Sequence, residues 1–217
     1  MPGAPHDVAG YAAWATDLLA AAAPDGDAVL AGHSFGSIVA AAAVAGGARA
    51  RALVLVNPIA TSALAGPRVV MTRLTVLYHR AAAALPERAG TALLRNRVVT
   101  RVASLAMVTT PDRALRRWIH AEHDRYFSTF ADRRVLLEAF HASVGHDVTE
   151  FATDVAIPTL LVAAERDDIA PPAAQRVLAG HFPDARLVMV PDTGHLAHYE
   201  TPAAVAVAIT GFLEALG

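Results

Sequence analysis

The sequence predicts an α/β fold: a parallel sheet flanked by helices, with a block of helices inserted into it. Three observations predict this. Four short apolar runs of strand length stand out, in "AVLAGH" at 28–33, "ALVLVNP" at 52–58, "IPTLLVAAERDD" at 157–168 and "ARLVMVPDTGH" at 185–195. Such runs suit strands buried on both faces, as parallel strands are. Helical patterns alternate with the runs, as in a parallel sheet covered by helices. Between the second and third runs, from 63 to 150, the pattern is helical and no strand alternation is evident.

Taken in order, Asp7 can cap a first helix, whose residues Val8, Tyr11, Ala12, Ala15, Leu18 and Leu19 fall at helical spacing. "APDGDA" is a turn, and the first strand follows it. "SFGSIVAAAAVA" is a small-residue helix ended by Gly46 and Gly47, and the second strand stops at Pro58. The inserted block holds most of the arginines and amphipathic stretches such as "RALRRWIHAEHDRYF" and "RRVLLEAFHASV". After the third strand, "PPAAQRVLAGHF" makes a helix with proline at its start. After the fourth, Thr201 can cap a last helix with Pro202 in its first position. The expected division is a core of 1–62 and 151–217, with 63–150 as the insertion.

Composition removes several classes of chemistry. All 18 basic residues are arginine, so a lysine Schiff base and a lysine-based phosphate loop are excluded. There is no cysteine, which excludes disulfides, thiolate nucleophiles and Cys-ligated zinc. The net charge of −2 argues against nucleic acid or an anionic membrane as the main partner. Residues 28–48 carry no formal charge and are long enough to span a membrane, but their glycines, His33, Ser34 and Ser37 favour a buried strand and helix. "MPGAPHDVAG" lacks the basic and long apolar regions of a secretory leader. A soluble, cytoplasmic protein is expected.

The chemistry concentrates at Gly32-His33-Ser34-Phe35-Gly36, where a strand pattern becomes a helix pattern. A serine hydroxyl is a weak nucleophile and needs a base that is itself oriented by an acid. A sharp strand-to-helix turn lifts the hydroxyl clear of the sheet, and its close backbone approach favours glycine on either side. The helix start behind the serine also presents N–H groups to developing negative charge. A base and an acid should then follow later strands. Asp167 follows the third run and His195 the fourth, in the chain order Ser, Asp, His.

On these residues the sequence resembles the α/β-hydrolase family. "GHSFGS" resembles its nucleophile elbow, "AAERDDIAPP" its acid turn (with Ala164 in place of the usual glycine), and "PDTGHLAHYETP" its histidine loop. The resemblance covers 1–62 and about 151–217, and the inserted block sits where the family carries a helical cap. It implies a serine hydrolase acting on a carboxylic ester or related acyl substrate. Ser34 would attack, His195 act as base, Asp167 orient it, and the Phe35 N–H serve as an oxyanion donor. No metal or organic cofactor is implied, and thioester, C–C and haloperoxidase-like perhydrolase chemistry share the same residues. Asp168 is the rival to Asp167. Another position used for the acid in the family falls near Asn57, which is not a carboxylate.

Substrate contacts are expected at His33, Trp118 and Phe130. The alternatives are that His33 packs locally and that Trp118, Tyr126, Phe127 and Phe130 form the insertion's own core. His198 is expected to start the approach to the last helix, with a pocket role as the alternative. His120 and His123 are three apart on one helical pattern and are expected on a surface face, with no third metal ligand evident. Only one helix precedes the elbow strand, and no segment there resembles the family's His-Gly oxyanion loop. The competing expectation is therefore a short, non-catalytic relative with an exposed sheet edge through which copies could associate.

Overall fold

The computed structural model describes residues 5–64, 68–127, 129–130 and 132–217. The reading of the first ten residues as leader-free falls partly on residues 1–4, outside the described ones. Residues 65–67, 128 and 131 of the inserted block also lie outside them.

The order is α1 (Val8–Ala22), β1 (Val29–His33), α2 (Phe35–Ala45), β2 (Ala52–Val56), then five helices: α3 (Val69–Ala84), α4 (Glu87–Leu94), α5 (Arg97–Met107), α6 (Arg113–Tyr126) and α7 (Arg133–Gly145). After two short 3₁₀ turns come β3 (Thr159–Ala164), α8 (Pro172–Ala179), β4 (Ala185–Val190), the single turn α9 (Ala197–Glu200) and α10 (Pro202–Glu214). The four strands form one parallel sheet in the order β1-β2-β3-β4.

Alternation along each strand sends its side chains to opposite faces. Leu53, Leu55 and Leu161 point to one face, where Ile38 and Val44 of α2 and Leu178 of α8 cover them. Val54, Val56, Leu160 and Val162 point to the other, beneath Val205 and Phe212 of α10. Every residue of β2 and β3 is buried, which accounts for their unbroken apolar runs. Among the described residues β1 pairs on one side only, so the elbow strand is a sheet edge.

Local signals acted mostly as expected. The Asp7 side chain accepts from the Gly10 N–H and caps α1, and α2 ends at Gly46. Leu18 faces solvent instead of the core. Thr201 precedes α10 but caps nothing with its side chain. Its hydroxyl instead donates to the Ala197 carbonyl and accepts from Thr193. Pro202 has no N–H to satisfy, and the Ala204 and Val205 N–H groups reach the Thr201 carbonyl (3.1 and 3.2 Å), so little is left for a side-chain cap to do.

Candidate active site

The site is built at the carboxyl ends of β1, β3 and β4. Ser34 follows β1 directly and adopts φ 52°, ψ −121°, a conformation that side chains rarely take and that marks functional turns. Gly32 makes this turn possible: a Cβ there would lie 2.2 Å from the Gly36 carbonyl oxygen. Gly36 has open space where its Cβ would be, so the steric demand for glycine falls on one flank only. Ser37 locks the turn. Its hydroxyl donates to the Ser34 carbonyl (2.5 Å) and accepts from the Ile59 N–H (3.2 Å).

Asp167, His195 and Ser34 form a line of hydrogen bonds. His195 Nδ1 donates to Asp167 Oδ2 at 2.7 Å, and the Ser34 hydroxyl donates to His195 Nε2 at 2.8 Å. The other Asp167 oxygen accepts from the N–H groups of Ile169 (2.8 Å) and Ala170 (2.9 Å), which fixes the carboxylate. Asp167 and His195 are buried, while Ser34 is partly open. Asp168, the rival, points outward and pairs with Arg68. Phe35 begins α2, so its N–H is one of the donors that a helix start leaves without an intrahelical acceptor.

The backbone of His195 is held from behind by two side chains. Its carbonyl accepts from Asn57 Nδ2 at 2.7 Å and from His33 Nε2 at 3.0 Å. Asn57 Oδ1 accepts in turn from the Ala164 N–H at 2.9 Å. Asn57 is buried at φ 43° and so ties the ends of β2 and β3 to the histidine loop. Asn57 is no carboxylate and so offers no acid; its sequence signal is a residue tolerant of left-handed backbone between a buried strand and Pro58. Burial, with His198 next to it, lowers the His33 pKa to about 3. Burial and His195 lower that of His198. Both rings are therefore neutral near pH 7, and neither opposes a positive charge on His195. His33 thus braces the histidine loop, with its ring 4.1 Å from that of His198.

Ser34 opens into a cavity of about 520 Å³. The core lines it with Phe35 and Ile59, and the inserted helices with Phe127, Leu136 and Phe140. Trp118 and Phe130 do not line it: Trp118 packs edge-on against Tyr199, and Phe130 lies under Arg95. A larger cavity of about 780 Å³ lies elsewhere, among charged groups such as Glu87, Arg134 and Glu138.

His120 and His123 are buried, not on a surface face. The Nδ1 atoms of both rings meet the Ser104 hydroxyl, at 2.6 and 2.7 Å. The α6 face carrying them packs on α5, which offers that hydroxyl. No cluster of three or more ligand-type side chains is placed to hold a metal among the described residues. A further tie joins the insertion to the histidine loop. Glu200 accepts from the N–H groups of Thr109 (2.6 Å) and Thr110 (3.0 Å) and from the Thr109 hydroxyl. Thr109 packs so closely on Gly194 that a Cβ there would lie 2.5 Å from its methyl.

The comparisons with known proteins agree with this architecture. The model of the alpha/beta hydrolase family matches residues 2–208. BpoC of Mycobacterium tuberculosis, which carries the name of a non-heme bromoperoxidase, is 33% identical over 63 residues. That segment is 29% of this chain and 24% of the relative, so the match spans about a quarter of the relative's length. The BpoC crystal structure superposes with a TM-score of 0.75 at 18% identity, covering 97% of this chain and 75% of that one. The enol-lactonase of Burkholderia xenovorans gives 0.74 at 21% identity, over 99% and 75%. A thermophilic esterase of Thermogutta terrifontis gives 0.71 at 21%, over 100% and 75%. These structural likenesses establish the fold, and the family match spans nearly the whole sequence: the chain belongs to the alpha/beta hydrolase family.

Proposed function

We propose that the chain is a serine hydrolase that cleaves a carboxylic ester or related acyl substrate through an acyl-enzyme. The observation that carries this reading is the line Asp167–His195–Ser34, with links of 2.7 and 2.8 Å, ending in an apolar cavity. Ser34 Oγ attacks the carbonyl carbon while His195 Nε2 takes its proton. Asp167 holds the Nδ1–H tautomer and stabilises the imidazolium. The Phe35 N–H donates to the oxyanion. His195 returns the proton to the leaving group, then draws a proton from water as it attacks the acyl carbon, and passes that proton to Ser34 Oγ as the acyl bond breaks and the acid leaves. Residues 63–150 act as a cap, since Phe127, Leu136 and Phe140 close the acyl side of the cavity.

Esterase and enol-lactonase neighbours support the ester class. The name of BpoC favours a second reading, in which hydrogen peroxide replaces water at the acyl-enzyme and releases a peracid. The test is labelling with a fluorophosphonate, followed by turnover of p-nitrophenyl esters of increasing chain length with and without peroxide. Ser34→Ala should abolish labelling and turnover. Equal labelling of that variant would remove Ser34 from its role, and peracid formation outpacing hydrolysis would select the second reading.

A further inference from the structure

The inserted helices do not bury their apolar residues as the core does. In α5, Thr100 and Ser104 are buried, whereas Val98, Val102 and Leu105 are each more than half exposed. The spacing 98, 102, 105 sets these three on one face of the helix. Helix α3 repeats the pattern, with Val70, Leu74 and Leu77 on one face and each more than half exposed. Arg68, at the start of α3, reaches the Ala106 carbonyl near the end of α5 at 3.2 Å. Exposed apolar stripes of this kind mark an interaction site.

Charge identifies the occupant. Residues 68–107 hold seven arginines and one carboxylate, Glu87, a net charge of +6 in a chain whose total is −2. Arg73 and Arg80 flank the α3 stripe, and Arg97 lies beside that of α5. None of these three pairs with a carboxylate among the described residues. Asp168 and Asp124, outside this span, neutralise Arg68 and Arg101, but a second copy docked face to face would still set the remaining arginines against their own kind, which is repulsive. A nucleic acid would answer the arginines and leave the valines and leucines unmatched. An anionic bilayer answers both, with headgroups at the arginines and acyl chains at the stripes.

We propose that the outward faces of α3 and α5 form a docking surface for an anionic lipid bilayer. Among the described residues no helix is long and apolar enough to cross a membrane, so docking is peripheral. The surface also leads inward. Met71, beside the α3 stripe, lines a cavity of about 210 Å³ that shares Ala63, Phe140 and Ile169 with the Ser34 cavity. An acyl chain leaving the bilayer would meet apolar groups along that route.

The experiment is flotation of the Ser34→Ala chain with vesicles of phosphatidylcholine alone or mixed with phosphatidylglycerol, so that docking is read independently of hydrolysis. The expected result is at least about tenfold stronger binding to the anionic vesicles, weakened by salt as screening predicts. Leu74→Ser with Leu77→Ser, Val102→Ser with Leu105→Ser, and Arg73→Gln with Arg80→Gln should each weaken binding at least about fivefold. Val177→Ser with Val207→Ser, exposed on α8 and α10, should not. Near-UV circular dichroism checks that each variant is folded. No binding to anionic vesicles, or equal loss in the α8/α10 control, overturns the proposal. So does a dimer in solution that the α3 or α5 variants dissociate, because the face would then belong to a second copy.

Discussion

The sheet and the helices inserted between β2 and β3 both carry apolar runs, and they place them oppositely. Every residue of β2 and β3 is buried, whereas α3 and α5 expose valines and leucines and α5 buries a serine and a threonine. Polar groups follow the same contrast. In the core, Asp167, His195 and Asn57 have partners that fix the histidine loop, although Gln175 Oε1 and His198 Nδ1 are buried without one. In the insertion, two buried histidines share one hydroxyl, and their Nε2 atoms have no partner. The Ser104 hydroxyl has one proton to give, so it can donate to one Nδ1 and must accept from the other. The two rings are therefore opposite tautomers. The core is organised around a fixed geometry, and the insertion around surfaces.

The largest expected effect tests the geometry. Asp167→Asn should lower turnover about 10⁴-fold, as loss of the orienting acid does in serine proteases. Asp168→Asn should change ester turnover by less than about threefold, because Asp168 is exposed and pairs with Arg68, away from His195. The reverse ranking would break the assignment.

Next comes the contrast in burial, read by chemical denaturation. Leu161→Ala in β3 should cost about 2–5 kcal/mol, through lost transfer energy and a cavity. Val102→Ser on α5 should cost under about 0.5 kcal/mol. Similar costs at both sites would mean that α5 is covered.

Asn57→Ala should cost about 1–3 kcal/mol by leaving the Ala164 N–H without its acceptor. It should also lower kcat more than it raises KM, because His195 loses its brace. Asn57→Gly, which tolerates the positive φ, separates backbone strain from the lost hydrogen bonds. If Asn57→Gly restores kcat, the side-chain brace is refuted.

The mildest test is pH. Burial lowers the pKa of His123 to about 4, and that of His33 to about 3. Below 6.5 the unfolded chain takes up protons that the folded chain refuses, so stability falls as pH drops from 6.5 towards about 4. The slope should be about 1.4 kcal/mol per pH unit for each such proton. His123→Asn should flatten it, and an unchanged slope would show that His123 does not contribute.

Much of the core could be read from the sequence. A strand buried on both faces must be apolar at every position, so its run is visible without knowing its neighbours. A turn that lifts a side chain off the sheet needs particular residues, so Gly32 and Ser34 announce it. Chain order then brings Ser34, Asp167 and His195 to one sheet edge, because each follows a parallel strand. The sequence could not say which face of each inserted helix turns inward. The amphipathic pattern of α6 fits a surface histidine as well as a buried one, and the Ser104 hydroxyl of α5 decides it. For the same reason, Trp118 and Phe130 stand away from the cavity that Phe127 and Phe140 line. Asn57 looked inert because its role depends on two loops more than 100 residues away. Local pattern determines which elements form, because backbone geometry is set within a few residues. Only the packing of those elements decides what each side chain meets.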